Sequence, residues 1–158
     1  MNLIDWQVEF GRCAYDSTVG IKIAKLAGDS QFATFLTAID PGKSVNPHYH
    51  KNGDEHYHII SGHGEMTLID VASKKETVTS VNEGQSFVVP ANTLHQLKNT
   101  GHQALTLMFS CPESHLKEDR FILSVQEKRI SNFEPYPSSS LPISVSMVSL
   151  VQVTKRRQ

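Results

Sequence analysis

Cysteine is nearly absent from this chain. Cys13 and Cys111 are the only two in 158 residues, and no Cys-x-x-Cys pair exists. The expectation is two reduced thiols that pack or sit idle, with no catalytic role. An excess of basic charge is also missing: 15 Lys+Arg stand against 16 Asp+Glu, a formal net charge of −1. A general nucleic-acid binder needs a basic face to neutralise phosphates, so that class is set aside. No apolar run approaches the roughly 20 residues of a membrane helix; the densest, 104–109, is far shorter. The first ten residues carry Asp5 and Glu9 and no basic residue. They do not read as a secretion signal, and a cytoplasmic protein is expected. Helical periodicity is scarce as well. With 39% hydrophobic and 20% charged residues, the composition is that of a globular chain long enough to bury one core. What is abundant is histidine: eight residues, six of them between His48 and His95.

Short alternating or β-branched runs recur at 21–26, 32–39, 55–60, 65–70, 77–81, 86–89, 95–98 and 104–109. Each ends in a Gly, Pro, Asn or Asp break such as Pro41-Gly42, Asn82-Glu-Gly84 or Pro90-Ala-Asn92. Gly62-His63-Gly64 reads as a turn with His63 exposed. Period-two runs separated by residues that cannot continue a ladder predict antiparallel strands, and this many short ones predict an all-β sandwich or barrel. A helical turn is expected over 114–119 and a further strand over 120–125. The barrel domain is placed at 1–130 and a Pro/Ser-rich linker at 131–142. A final strand and basic tail follow at 143–158, and that strand either closes the protein's own sheet or adds to a neighbour's edge.

His48 and His50 are two residues apart, so on extended backbone both point to one face. Glu55 follows a turn at Asn52-Gly53, which can bring a carboxylate beside the two imidazoles. Two neutral nitrogens and a carboxylate suit a divalent transition metal. A second stretch, Gly84 to Asn99, adds His95 just after a strand and turn. On β-strand parity, Glu55, Tyr57 and residue 59 share one face while His56 and His58 share the other. If Glu55 points inward, His56 and His58 point away. Tyr57 then packs the interior or bonds a substrate, with packing favoured. Leu97 and Asn99 share the face of His95, making Leu97 a pocket wall and Asn99 a turn or supporting group. Tyr57 and Leu97 are the pocket candidates. His102 and His115 fall outside both stretches and receive no role.

These residues resemble the cupin superfamily. Its first motif, G-x5-H-x-H-x(3,4)-E-x6-G, is matched by Gly42, His48, His50, Glu55 and Gly62. Its second, G-x5-P-x-G-x2-H-x3-N, is matched by Gly84, Pro90, His95 and Asn99. The departure is Asn92 where the family has Gly, and Asn tolerates the left-handed turn best after Gly. The resemblance implies a cupin-type antiparallel β-barrel (double-stranded β-helix, jelly roll) in which His48, His50, Glu55 and His95 bind one divalent metal: Fe, Mn, Zn, Ni or Co. It implies a small-molecule substrate or ligand, no nucleic acid or membrane, and a homodimer.

Three activities fit such a cupin. The ion can act as a Lewis acid in aldose–ketose isomerisation, or as Fe(II) in a dioxygenase; otherwise the protein binds a small molecule without turnover. The stretches 55–62 and 90–101 are similar to the cupin-type phosphomannose isomerase domain, which favours a metal-dependent isomerase or epimerase acting on a sugar-like metabolite. Two features depart from that domain. The spacing from His50 to Glu55 is one residue longer, and Arg12, Arg120 and Arg129 all lie far in sequence from the motifs, so no phosphate-gripping arginine is identified.

Overall fold

A computed structural model of the protein describes residues 3–122. Arg129, the linker at 131–142 and the strand and tail at 143–158 lie outside the described residues. Within them the alternating runs become strands: β1 (Tyr15–Asp16), β2 (Ile21–Gly28), β3 (Ala33–Ile39), β4 (His48–Tyr49), β5 (Glu55–Ser61), β6 (His63–Asp70), β7 (Glu76–Asn82), β8 (Ser86–Val89), β9 (Thr93–Asn99), β10 (Leu105–Cys111) and β11 (Phe121–Ile122). They form two antiparallel sheets, β1-β2-β3-β10-β5-β8 and β11-β4-β9-β6-β7. This is the cupin-type all-β fold that the motifs imply.

Period-two patterning explains why the sheets face each other. In β5 buried and exposed residues alternate from Glu55 to Ile60, so one face meets the opposite sheet and the other meets solvent. Phe35, Ile59, Leu107 and Phe109 of one sheet pack with Met66, Val81 and Leu97 of the other in a single buried cluster. Central strands β3 and β10 are buried along most of their length, because β2 and β5 flank them in the same sheet.

Two elements have little signal in sequence. Helix α1 (Trp6–Arg12) buries no residue fully. Its start is fixed by Asp5, whose carboxylate accepts from the backbone N–H of Gln7 and Val8, a side-chain N-cap. Phe10 and Cys13 then pack on Ala24, Leu26 and Leu36. Strand β4 is only His48–Tyr49, too short for alternation to register. The expected helical turn at 114–119 is a 3-10 turn at Glu113–Leu116, and the strand expected from 120 is Phe121–Ile122 within the described residues.

The Gly62–Gly64 stretch needs correction. His63 is exposed, as expected, but β6 begins there and Gly64 is a buried strand residue. A Cβ on Gly64 would run into the carbonyl oxygen of Lys98, so glycine is needed for close strand packing rather than for a turn. Asn92 does adopt the left-handed conformation, with φ 59°. Its N–H donates to the carbonyl of His50 at 2.7 Å, which ties the turn before β9 to the loop after β4.

Candidate metal centre

Both sheets contribute to a cluster of three histidines and a glutamate. His48 on β4 lies directly across from His95 on β9, and their rings are 4.3 Å apart. His50 follows β4 on the same face, and its ring stands 5.1 Å from His48 and 5.4 Å from His95. The ligand nitrogens of His48, His50 and His95 lie within 4.8 Å of one another, and all three residues are buried. Glu55 enters from β5 in the opposite sheet, buried to 3% exposure. Its two oxygens lie 3.4 Å from His50 Nε2 and 3.3 Å from His95 Nε2.

The orientation of each ring is set by the backbone. Nδ1 of His48 donates to Asn46 O at 2.8 Å, Nδ1 of His50 to Asp119 O at 2.6 Å, and Nδ1 of His95 to Thr93 O at 3.1 Å. A carbonyl oxygen only accepts, so each Nδ1 carries the proton and each Nε2 presents a lone pair when the ring is neutral. Nε2 of His50 and of His95 are buried with no hydrogen-bond partner among the described residues. Two such orphans would cost stability unless something binds them. Burial, reinforced by the neighbouring His95 and His50 rings, holds His48 well below the usual imidazole range. Burial also pushes His50 down to about 4, against the pull of Glu55 and with His115 and His95 adding to the shift. Neutral rings with fixed tautomers are what a metal ligand requires.

A divalent ion fits this donor set. Donors at about 2.1 Å from one first-row ion stand roughly 3.0–3.4 Å apart in octahedral or tetrahedral arrangements, and the two Glu55–imidazole separations fall at that spacing. The grouping also extends past the four expected residues. His50, Glu55 and His115 form a second set whose ligand atoms lie within 4.8 Å of one another.

His115, given no role from sequence, is a correction: it is fully buried at the cluster. It comes from the 3-10 turn and stacks on His50 with ring centroids 4.0 Å apart and planes 2° from parallel. Its Nε2 donates to Asn52 O and its Nδ1 to Glu55 Oε1 at 3.1 Å. Both nitrogens face acceptors, an arrangement that favours the protonated ring beside the Glu55 carboxylate. Burial works to lower the His115 pKa, but the bonds to Glu55 and to the Asn52 carbonyl outweigh it and raise it. Burial likewise works to raise Glu55, yet the His115 hydrogen bond and the close His95 and His50 rings hold its carboxyl well below the usual range.

Tyr57 is on the inward face. It packs between Phe87 and Phe109, and its hydroxyl donates to Glu55 Oε2 at 2.8 Å. Burial, with the Glu55 charge beside it, raises the phenol well above its usual range. Each Glu55 oxygen thus already accepts one hydrogen bond and retains a free lone pair. Asp119 closes the loop around the site, its carboxylate accepting from the N–H groups of Lys51 and Asn52.

A narrow cavity of about 30 Å³ adjoins the cluster, lined by His48, Glu55, Tyr57, Leu97, His115 and Arg120 among others. Leu97 is therefore a wall, as its parity predicts. Arg120 also lies in this wall, despite its distance from the motifs in sequence. Asn99 is a turn clamp: its amide donates to Ile39 O and Gln103 O, and its carbonyl accepts from Gly101 N–H. His56, His58 and His102 are exposed. Cys111 is buried, and burial with the neighbouring Glu55 charge raises its thiol far above the usual range.

No local pattern marks His115 or Arg120. They reach the site because the chain returns after β10, and the 3-10 turn folds back over the loop between His50 and Asn52.

Comparison with known proteins agrees with this fold. The family model described as "Cupin domain" matches residues 35–111. A mannose-1-phosphate guanylyltransferase from Sinorhizobium fredii is 32% identical over 104 residues, which cover 66% of this chain and 19% of that protein. The alginate biosynthesis protein AlgA of Pseudomonas putida is 30% identical over 117 residues, 72% of this chain and 21% of that protein. The chain spans about a fifth of the length of these curated relatives. Among solved structures, the capsular polysaccharide assembling protein CapF from Staphylococcus aureus superposes with TM-score 0.61 at 16% identity, over 72% of this chain and 34% of that one. Oxalate decarboxylase from Bacillus subtilis superposes with TM-score 0.53 at 24% identity, over 59% and 26%. At such identities the structural likenesses speak to the fold alone.

Proposed function

Because this chain belongs to the cupin superfamily through residues 35–111, we propose that His48, His50, Glu55 and His95 hold one divalent transition metal. On this reading the protein is a metal-dependent enzyme of isomerase or epimerase type, acting on a small, polar, sugar-like metabolite. The observation that carries the metal reading is the pair of buried, unpartnered Nε2 atoms on His50 and His95 beside the Glu55 carboxylate. The sugar-like substrate is supported by relatives whose names place them on mannose 1-phosphate and in polysaccharide synthesis.

The chain's own residues define what enters. A bound ion would supply Lewis-acid polarisation of neighbouring carbonyl and hydroxyl oxygens. Tyr57 and His115 hold the two oxygens of Glu55 in place, so the carboxylate cannot rotate freely. The apolar walls from Ile21, Ile39, Val45, Leu107 and Phe109 exclude water and strengthen polar contacts inside. At about 30 Å³ the cavity has room for roughly two water molecules. It therefore admits an oxygenated end of a metabolite and leaves the remainder outside.

Elemental analysis of protein purified without chelators tests the metal reading. One equivalent of a divalent ion is expected in the wild type and none in His95→Ala, and an H95A variant that keeps stoichiometric tight metal refutes the ligand set. A panel of sugar phosphates then tests the activity, with turnover expected in the wild type and lost in H95A. Iron together with oxygen uptake would overturn the isomerase reading in favour of a dioxygenase.

A further inference from the structure

The cavity beside the histidine cluster is nearly sealed. His48, His50, Glu55 and His95 are between 1% and 6% exposed, and the cavity of about 30 Å³ holds roughly two water molecules. Neither a hydrated ion nor a metabolite reaches such donors unless part of the wall moves. The sheets are firmly held. β3 and β10 pair along seven consecutive residues. The loop before β4 is tied on two sides, with Val45 N–H donating to Leu97 O at 2.9 Å and Asn46 N–H to Val19 O at 2.8 Å.

The segment 112–120 is held differently. Among the described residues it has one backbone–backbone bond to the rest of the fold, Glu113 N–H to Ser30 O at 3.1 Å; its other tethers pass through side chains. At its start the Glu113 carboxylate meets Lys25 at the surface. At its end Arg120 Nη1 donates to Asp16 Oδ2 at 2.6 Å, joining the segment to β1. Arg120 lines the cavity and Asp16 does not, so this ion pair stands at the cavity margin. Segments with few ladder bonds open at lower free energy than the sheets beside them.

The same segment supports the donors. Asp119 O accepts from His50 Nδ1 and so fixes that ring's tautomer. His115 stacks on His50 and bonds Glu55 Oε1. The Asp119 carboxylate holds the loop after His50 through the N–H groups of Lys51 and Asn52. Leu116 packs on the core and lines the cavity. Lifting this segment would uncover the cavity and release His50 and Glu55 from their supports in one movement.

We propose that residues 112–120 are a strap that gates the cavity, opening at the Asp16–Arg120 ion pair, and that exchange of the bound ion passes through the open strap. The gate stands on tethers and burial; the ion's passage rests on the metal reading above. Closed, the strap completes the donor set, and open, it is the entrance. Asp16 takes no part in binding and sets how often the strap opens. Weakening its ion pair raises the open population while the closed form still dominates, so rates in and out rise together and affinity is kept.

Hydrogen exchange on metal-free protein reads the strap directly. The N–H groups of Lys51 and Asn52, which bond to Asp119, should exchange together and faster than those of Leu107 and Phe109 in β10. Asp16→Asn removes the charge and can keep the bond to Thr18 N–H. It should speed Lys51 and Asn52 by about fivefold or more, the effect of weakening one charge-assisted hydrogen bond. Thr34→Ala, which breaks the 2.9 Å hydroxyl bond to Ser110 between β3 and β10, should speed Leu107 and Phe109 and leave Lys51 and Asn52 unchanged. The same proteins are then loaded with Co2+, and its uptake and its loss to excess EDTA are followed by visible absorbance. D16N should take up and release Co2+ about fivefold faster with affinity within about twofold of the wild type, and T34A should match the wild type. Exchange of Lys51 and Asn52 at the β10 rate, or at a rate that D16N leaves unchanged, overturns the strap. Unaltered Co2+ rates in D16N overturn the gate, since the ion then leaves by another route. Faster release with unchanged uptake makes the segment a support and not an entrance, and also overturns it. If the wild type takes up no Co2+ while D16N still speeds the two amides and T34A does not, the metal reading fails and the strap stands as the gate of the cavity.

Discussion

The two faces of β5 carry similar residues in opposite circumstances. Inward, Glu55, Tyr57 and Ile59 are 3%, 8% and 3% exposed; outward, His56, His58 and Ile60 meet solvent. Elsewhere in the fold histidines stand in the interior as well, and among the described residues only the buried ones have nitrogens assigned by the backbone. His48, His50 and His95 each give Nδ1 to a carbonyl oxygen, whereas His58 shares Nδ1 with the Ser86 hydroxyl at the surface. A hydroxyl can donate or accept, so it does not fix a tautomer. The difference teaches that a histidine becomes ligand-ready through the carbonyl behind it and the water excluded in front of it.

The strongest test of the inner region is removal of His115. It is fully buried, supports Glu55 Oε1, and stacks on His50. His115→Ala strips one partner from a buried ion pair, which typically costs about 3–5 kcal/mol. Urea unfolding should register that loss as a lower midpoint with little change in slope. A loss under about 1 kcal/mol would mean that Glu55 finds other partners and that the buried pair is not what holds the carboxylate.

Acid should distinguish the inner region next. His50 is depressed from 6.5 to about 4 in the folded state. Between those values the unfolded chain takes a proton that the folded chain refuses. Stability of the metal-free protein therefore falls as pH falls through this window, by about 1.4 kcal/mol per pH unit for each full proton. His48, also depressed, works in the same direction. Glu55 adds its loss lower still, below its unfolded value of 4.5. His115 has the opposite sign: its raised pKa contributes stability that is full below 6.5 and is lost as pH rises through its folded value. Urea midpoints measured from pH 6.5 down to pH 4 should decline, and a flat profile would mean that the inner imidazoles are not buried neutral.

Much of this arrangement is legible in the sequence, because parity in a strand is local. The β5 alternation places Glu55 inward and His56 and His58 outward from their spacing alone, and His-x-His does the same for His48 and His50. Asn92 is legible for a similar reason, since few residues tolerate its backbone conformation. His115 and Arg120 are not legible. Their partners, Glu55 and Asp16, lie 60 and 104 positions away, and no periodicity spans such a separation. Gly64 misleads because glycine marks turns and close strand contacts alike, and only the neighbouring Lys98 carbonyl decides between them. Helix α1 escapes detection because its seven residues bury too little to show a stripe.

The smallest expected effect falls on the outer face and sharpens the comparison most. His56 meets the Phe32 ring edge-on at 6.2 Å, and Phe32 is itself 52% exposed; the His58 side chain makes a surface bond to Ser86. Neither contact removes much area from water, so His56→Ala and His58→Ala should each change stability by no more than about 0.5 kcal/mol. The double variant should still take up the same equivalent of metal as the wild type in elemental analysis. If it lost metal, an outward histidine would have to reach the cluster through the sheet, which strand parity forbids. The inward assignment of Glu55, and with it the donor set, would then be wrong, because residues 55 and 56 cannot share a face of one regular strand.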